Sequence, residues 1–328
     1  MSQLKRIVIS RTDSIGDVVL TLPLAGILKE RFPDCELIFL GNTYTKPIIA
    51  CCEHVDEIWE WAVLQQWDYN KQVSWLQEQN IDAIIHVFPR KEIARIAKKA
   101  GITARIGTSH RVFHLLACNK LVNFTRKRSD LHEAQLNTKL LEPLGVREAF
   151  TLKKLSVYAG FKTDHPLTKE IADLLKTEKQ KIVLHPKSRG SAIEWGIQNF
   201  MSLATELDSN NYEIFITGTE AEAEFFRKII PNQANIHDLS GQLDLDELIA
   251  FVAQCDALVA ASTGPLHIAG ISNIHAVGLF QDKKPIHSGR WKPLGTQVTI
   301  VNSKKIVDGA QPLDIDIRDV VKAIQLKA

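Results

Sequence analysis

Short apolar runs alternate along this chain with longer stretches of helical periodicity, and polar loops separate the two. Leu4 to Ser10 is a β-branched run and Arg11 to Gly16 a polar loop. In Asp17 to Glu30 that follows, Val18, Leu22, Ala25, Ile27 and Leu28 recur at helical spacing. Further runs at Glu36 to Leu40, Ala83 to Phe88, Lys181 to His185, Glu213 to Thr217, Ala257 to Ala261 and Ala276 to Phe280 predict buried strands. Helical patterns at Glu92 to Ala100, Asn199 to Leu207, Glu220 to Ile229 and Asp244 to Gln254 lie among them. Such alternation predicts an α/β protein with doubly wound parallel sheets.

The strand series restarts at Lys181, after the polar segment Phe161 to Gln180, which carries Pro166. Two Rossmann-like domains are therefore expected, residues 1–165 and 166–328, with the last helix packing back on the first domain. In open α/β sheets ligands sit outside the carboxyl ends of the strands, so two such domains should face a cleft. The chemistry should lie in loops that follow strands.

With 45% hydrophobic and 24% charged residues, the 328-residue chain is of the folded globular type. A net charge of +2 gives no support for a nucleic-acid partner. That balance conceals an asymmetry, because residues 1–165 hold 23 basic and 18 acidic side chains against 17 and 20 in the remainder. Eleven of the cations fall between His86 and Asp130, facing only Glu92 and Asp130. Five cysteines without a C-x-x-C pair fit neither a disulfide framework nor a zinc site, so a reducing cytoplasm is expected. No run approaches the ~18 apolar residues of a membrane span.

The first loop, Arg11-Thr12-Asp13-Ser14-Ile15-Gly16-Asp17, has one glycine and so lacks the three that a dinucleotide fingerprint requires. Gly16 is read as the site of a tight turn, and Asp17 falls in the first helical turn at the carboxyl end of the sheet. Asp13 and Asp17 either cap that helix or serve the chemistry. After the strand Ala257 to Ala261, Ser262-Thr263-Gly264-Pro265-Leu266-His267 opens a helix whose free N–H groups suit a diphosphate, an ordinary capped helix being the other reading. His185 to Ser191 is a doubly basic loop carrying Lys187, Ser188 and Arg189, suited to neutralising a phosphate. Thr217, Gly218 and Glu222 follow another strand, and an acidic side chain there suits a ribose diol or simply a helix start. Asp244-Leu245-Asp246 is read as an N-cap region rather than a metal site. His110 and His114 lack the further ligands of a zinc set, and Trp59, Trp61, Trp67 and Trp75 are read as packing.

These segments together, RTDSIGDVVLTLP (Arg11 to Pro23), HPKSRGSAIEWG (His185 to Gly196), TGTEAE (Thr217 to Glu222), Leu239 to Gly270 and RWKPLG (Arg290 to Gly295), resemble glycosyltransferase family 9, the lipopolysaccharide heptosyltransferases. The resemblance implies a GT-B fold, with the acceptor on the N-terminal domain and the nucleotide sugar on the C-terminal one. It also implies an inverting, metal-independent transfer from an ADP-heptose type donor, with no cofactor. Carried over, Asp17 is the general base. Lys187, Ser188, Arg189, Thr217, Gly218, Glu222, Ser262, Thr263, Gly264, Pro265 and His267 become donor-binding candidates; Asp13, Ser14, Gly16, Arg90 and Arg111 become acceptor-binding ones.

The chain departs from the family pattern at Ser262, where an Asp is usual, and at Ile193-Glu194-Trp195-Gly196, where a basic residue precedes x-W-P. Lys187 or Arg189 is expected to supply the missing cation. The expected acceptor is an anionic glycolipid of the lipid A–Kdo type, met by Arg90, Lys91, Arg105 and Arg111. Lys120 and Arg126-Lys127-Arg128 are expected to rest on anionic lipid at the inner face of the inner membrane. A sugar-nucleotide epimerase and a non-catalytic nucleotide-sugar-binding module are the competing readings.

Overall fold

The computed structural model describes residues 4–126, 129–308 and 311–325. The chain divides into two compact units, Met1–Lys162 and Thr163–Ala328. The first holds strands β1 (Arg6–Ser10), β2 (Glu36–Gly41), β3 (Glu57–Glu60), β4 (Ala83–His86), β5 (Ala104–Thr108) and β6 (Lys120–Val122). All are parallel, in the order β3-β2-β1-β4-β5-β6. The second unit holds β7 (Gln180–His185), β8 (Tyr212–Ile216), β9 (Ile236–Asp238), β10 (Ala257–Ala261), β11 (His275–Phe280) and β12 (Val298–Asn302). They too are parallel, in the order β12-β11-β10-β7-β8-β9.

Each unit thus has the dinucleotide-fold order 3-2-1-4-5-6, in which the direction of winding reverses between the first and fourth strands. In the first unit that reversal lies between β1 and β4, where Ser10 pairs with His86. In the second it lies between β7 and β10, where His185 pairs with Ala260. The central strands are buried on both faces, which is why they read as unbroken apolar runs: Ile7, Val8 and Ile9 are fully buried, as are Leu258, Val259 and Ala260.

Several expectations need correction. The helix expected over Asp17 to Glu30 is two helices, Ile15–Val19 and Pro23–Arg31, because Pro23 has no N–H to continue the ladder and starts the second one instead. Glu220 to Ile229 is likewise a short helix, Glu220–Ala223, and a separate 3₁₀ turn, Arg227–Ile229. Strands β3, β5, β6, β9 and β12 were not legible, being three to five residues long and partly exposed. The last helix is Ile317–Gln325. Its Val320, Ala323 and Ile324 are buried in the core of its own unit with Trp195, Phe200 and Leu203.

Candidate active site

The loop after β1 is organised by a residue that sequence reasoning left unassigned. Arg11 is 4% exposed, and its Nε donates to Asp13 Oδ1 at 2.6 Å while a terminal nitrogen donates to Asp17 Oδ1. Burial disfavours its charge, but Asp17, Asp13 and the buried Glu133, 3.8 Å away, outweigh that and hold its pKa above the ordinary value. Ser14 Oγ donates to the other oxygen of Asp17 at 2.5 Å. Both aspartates are therefore engaged by side chains, and neither caps the helix, whose N-cap Ser14 makes no side-chain capping bond. Burial lifts Asp13 to about pKa 6, against the pull of Arg11 and with the help of Asp17. Gly16 is the buried second residue of the helix rather than a tight turn.

Arg90 joins this loop across the reversal point, its Nε donating to Thr12 Oγ1 at 2.7 Å. Arg111 does not: it stands exposed at the N-cap of helix Val112–Ala117, beyond β5. Arg105 is turned inward, with Nε donating to the Ala117 carbonyl at 2.8 Å and Nη1 to that of Ile102, so it serves packing and not an anionic acceptor. Arg126 is likewise held by Glu133 at 2.8 Å and Asn137 at 2.9 Å, which removes it from the expected lipid-facing cluster. Lys127 and Arg128 lie outside the described residues, and Lys120 is exposed.

In the second unit, the polar residues after β7, β8 and β10 converge. His185 Nδ1 lies 3.0 Å from Thr217 Oγ1. Burial lowers the His185 pKa, and the carboxylates of Glu222 and Glu194 pull the other way, which places all three groups in one neighbourhood. Glu222 Oε2 accepts from the Thr219 N–H at 2.8 Å and hydroxyl at 2.9 Å in a capping box, so its helix-start reading holds. Its other oxygen, Oε1, is buried and has no hydrogen-bond partner. Gly218 backs this turn against the Phe226 ring, which a Cβ there would approach to 3.2 Å.

Helix Gly264–Ile271 begins directly after β10, with Pro265 in its first turn, buried His267 one turn along and half-buried Ser262 before it. Thr263 at its N-cap is 4% exposed; its hydroxyl makes no capping bond and has no partner. Buried polar groups without partners are rare in proteins, and two of them, after the strands β8 and β10 that flank β7, mark a place for a ligand's polar groups.

The doubly basic loop differs from its expected role. Lys187 Nζ is paired with Glu194 Oε2 at 2.6 Å and lies 5.1 Å above the exposed Phe225 ring. Glu194 Oε1 accepts from the Ser188 N–H at 2.8 Å and hydroxyl at 2.9 Å. A carboxylate thus sits where a cation for the donor was expected, and Arg189 alone of the loop cations is exposed. Asp244 N-caps helix Leu245–Val252 in a capping box with Glu247, as read from sequence. Trp59 and Trp61 are core residues.

Two parallel sheets of dinucleotide-fold order, each with its polar loops at the reversal point, make up the GT-B architecture. Solved structures of the same architecture include a family 9 glycosyltransferase from Veillonella parvula, with 18% identity, TM-score 0.79, and 99% of this chain and 97% of that one covered. Another is the ADP-heptose LPS heptosyltransferase II of E. coli, with 19% identity, TM-score 0.75, and 98% of each chain covered. Lipooligosaccharide heptosyltransferase 2 of Campylobacter jejuni is 25% identical over 85% of this chain and 82% of its own length. The model of glycosyltransferase family 9 (heptosyltransferase) matches residues 71–310, and the chain belongs to that family.

Proposed function

We propose that this glycosyltransferase moves a heptose from ADP-heptose to a lipopolysaccharide core acceptor of the lipid A–Kdo type, with inversion and without a metal. The observation that carries the donor half is the pair of buried, partnerless oxygens, Glu222 Oε1 and Thr263 Oγ1, at the ends of β8 and β10. Glu222 accepts from a ribose hydroxyl. The Thr263 hydroxyl and the N-terminal amides of helix Gly264–Ile271 receive the diphosphate, with Ser188, Arg189, Thr217, Gly218, Ser262, Pro265 and His267 around it. The relatives' names, two of which specify heptose transfer, support this donor.

Asp17 supplies the base. Arg11 and Ser14 fix its carboxylate from both sides, and an acceptor hydroxyl held by Asp13 and Arg90 loses its proton to it. That oxygen forms its bond to the anomeric carbon as the bond to the diphosphate breaks, the electron pair leaving with ADP. One displacement inverts the centre. Work at the cytoplasmic face of the inner membrane follows from an anionic glycolipid acceptor and the cationic stretch from Arg90 to Lys120.

The test is transfer of labelled ADP-heptose, alongside UDP-sugars, to a lipid acceptor by wild type and Asp17→Asn. The expected result is ADP-heptose transfer with inverted configuration, and a kcat lower by about 10² to 10⁴ in the variant with ADP affinity kept. Wild-type turnover in the variant would remove Asp17 from the base role. Epimer formation without transfer would remove the reading altogether.

A further inference from the structure

Next to the edge of the first sheet, one helix turns its apolar side outward. In Val112–Ala117, His114 and Ala117 are buried, whereas Val112, Leu115 and Leu116 are 76, 53 and 69% exposed. Those three positions are i, i+3 and i+4, a single helical face. Leu121 on the edge strand β6 adds a fourth aliphatic, 42% exposed. Single exposed aliphatics are ordinary on a protein surface; a contiguous stripe marks a contact.

The stripe is held in place. Lys98 Nζ donates to the Leu116 carbonyl at 2.7 Å and Arg105 Nε to that of Ala117 at 2.8 Å, so the last turn of the helix is tied down from two sides. His114 Nδ1 lies 3.2 Å from the Thr108 carbonyl and anchors the inner face to β5. Exposed cations flank the stripe, Arg111 at its start, Lys120 beyond its end, and Arg95 and Lys99 on the packed neighbouring helix Lys91–Lys99, which also exposes Glu92.

We propose that this face docks the protein on an anionic bilayer, with Val112, Leu115, Leu116 and Leu121 entering the headgroup–acyl boundary while the surrounding cations pair with lipid phosphates. Aliphatic side chains ringed by Lys and Arg complement such a surface in both charge and polarity, and weak insertion plus several cations is the combination that gives stable yet reversible anchoring. The proposal rests on the glycolipid-acceptor reading for its purpose, but not for its test.

That test is co-sedimentation of the full chain with vesicles of phosphatidylethanolamine and phosphatidylglycerol, and separately of phosphatidylcholine. Expected are binding to the anionic vesicles, at least tenfold weaker binding to phosphatidylcholine, and partial retention on anionic vesicles in high salt. The double variant Val112→Ser, Leu116→Ser should lose about tenfold or more in anionic-vesicle partition while the amides of β1 and β4 keep their wild-type hydrogen-exchange protection, which shows that the first unit is folded. Unchanged partition in that variant would overturn the proposal. So would wild-type self-association that the variant abolishes without any vesicle binding, since the face would then join copies of this chain. Transfer activity is read in a separate assay, so its failure strikes the glycosyltransferase substrates and not the docking face.

Discussion

Arg11 shows what a single buried cation does to a site. It binds Asp13 and Asp17 and lies close to Glu133, so removing either aspartate changes the charge seen by the other. Asp13, raised to about pKa 6 from 3.8, holds its proton more tightly folded than unfolded. On its account stability is full below about pH 4 and is lost as pH rises through 6. His86, pushed down to about 3 from 6.5 by burial, with His114 and Arg105 adding to the effect, acts in the opposite sense. Its contribution is full above pH 6.5 and is lost on acidification. Urea midpoints between pH 4 and 7 should therefore fall more steeply on acidification for Asp13→Asn than for wild type, and less steeply for His86→Asn. The Glu194 carboxylate occupies Lys187 and Ser188 as an anion would. Glu194→Gln keeps the hydrogen-bonded shape and frees the ammonium, so the donor KM should fall about threefold to tenfold with kcat little changed. A rise in KM would mean that the Lys187–Glu194 pair itself positions the loop.

Helix Gly264–Ile271 is the element that concentrates the donor chemistry. It is held by close backbone contact: a Cβ on Gly270 would lie 2.5 Å from the Leu294 carbonyl, and one on Gly295 would lie 2.2 Å from that of Gly270. Two glycines far apart in sequence thus seat the helix on the segment that follows Arg290, and no local pattern announces the pairing. Because the Thr263 hydroxyl has no partner in the protein, Thr263→Val should leave stability within about 0.5 kcal/mol, or raise it. ADP affinity should still drop about fivefold, measurable by calorimetry beside a thermal melt; a large loss of stability would show that the hydroxyl serves the fold. The S-T-G-P-L-H signature and the strand before it were legible because a buried parallel strand and a Pro-started helix each leave a local pattern. The break at Pro23 and the short strands β3 and β5 were not, since their polar or half-buried residues carry little periodicity.

At the scale of the molecule, each unit has its own sheet and its own core. Trp195 is fully buried among Phe200, Leu203 and Val320, and its Nε1 donates to the Ile315 carbonyl at 2.9 Å. Trp195→Ala should destabilise the second unit by about 3–5 kcal/mol, and hydrogen exchange should then accelerate in β7 and β10 while the amides of β1 and β4 keep their protection. Sequence alone was enough for the α/β class, the restart of the strand series at Lys181, and the loops that carry Asp17, Glu222 and Thr263, because apolar periodicity and helix-start chemistry are local properties. Only the tertiary structure decided that Arg11 and not a helix cap holds both aspartates, that Glu194 neutralises Lys187, that Arg105 and Arg126 are turned inward, and that Val112, Leu115 and Leu116 face out. Each depends on which neighbour a side chain meets once the strands are ordered, and residues such as Arg11 and Glu133, far apart in sequence, have no local signature of that meeting.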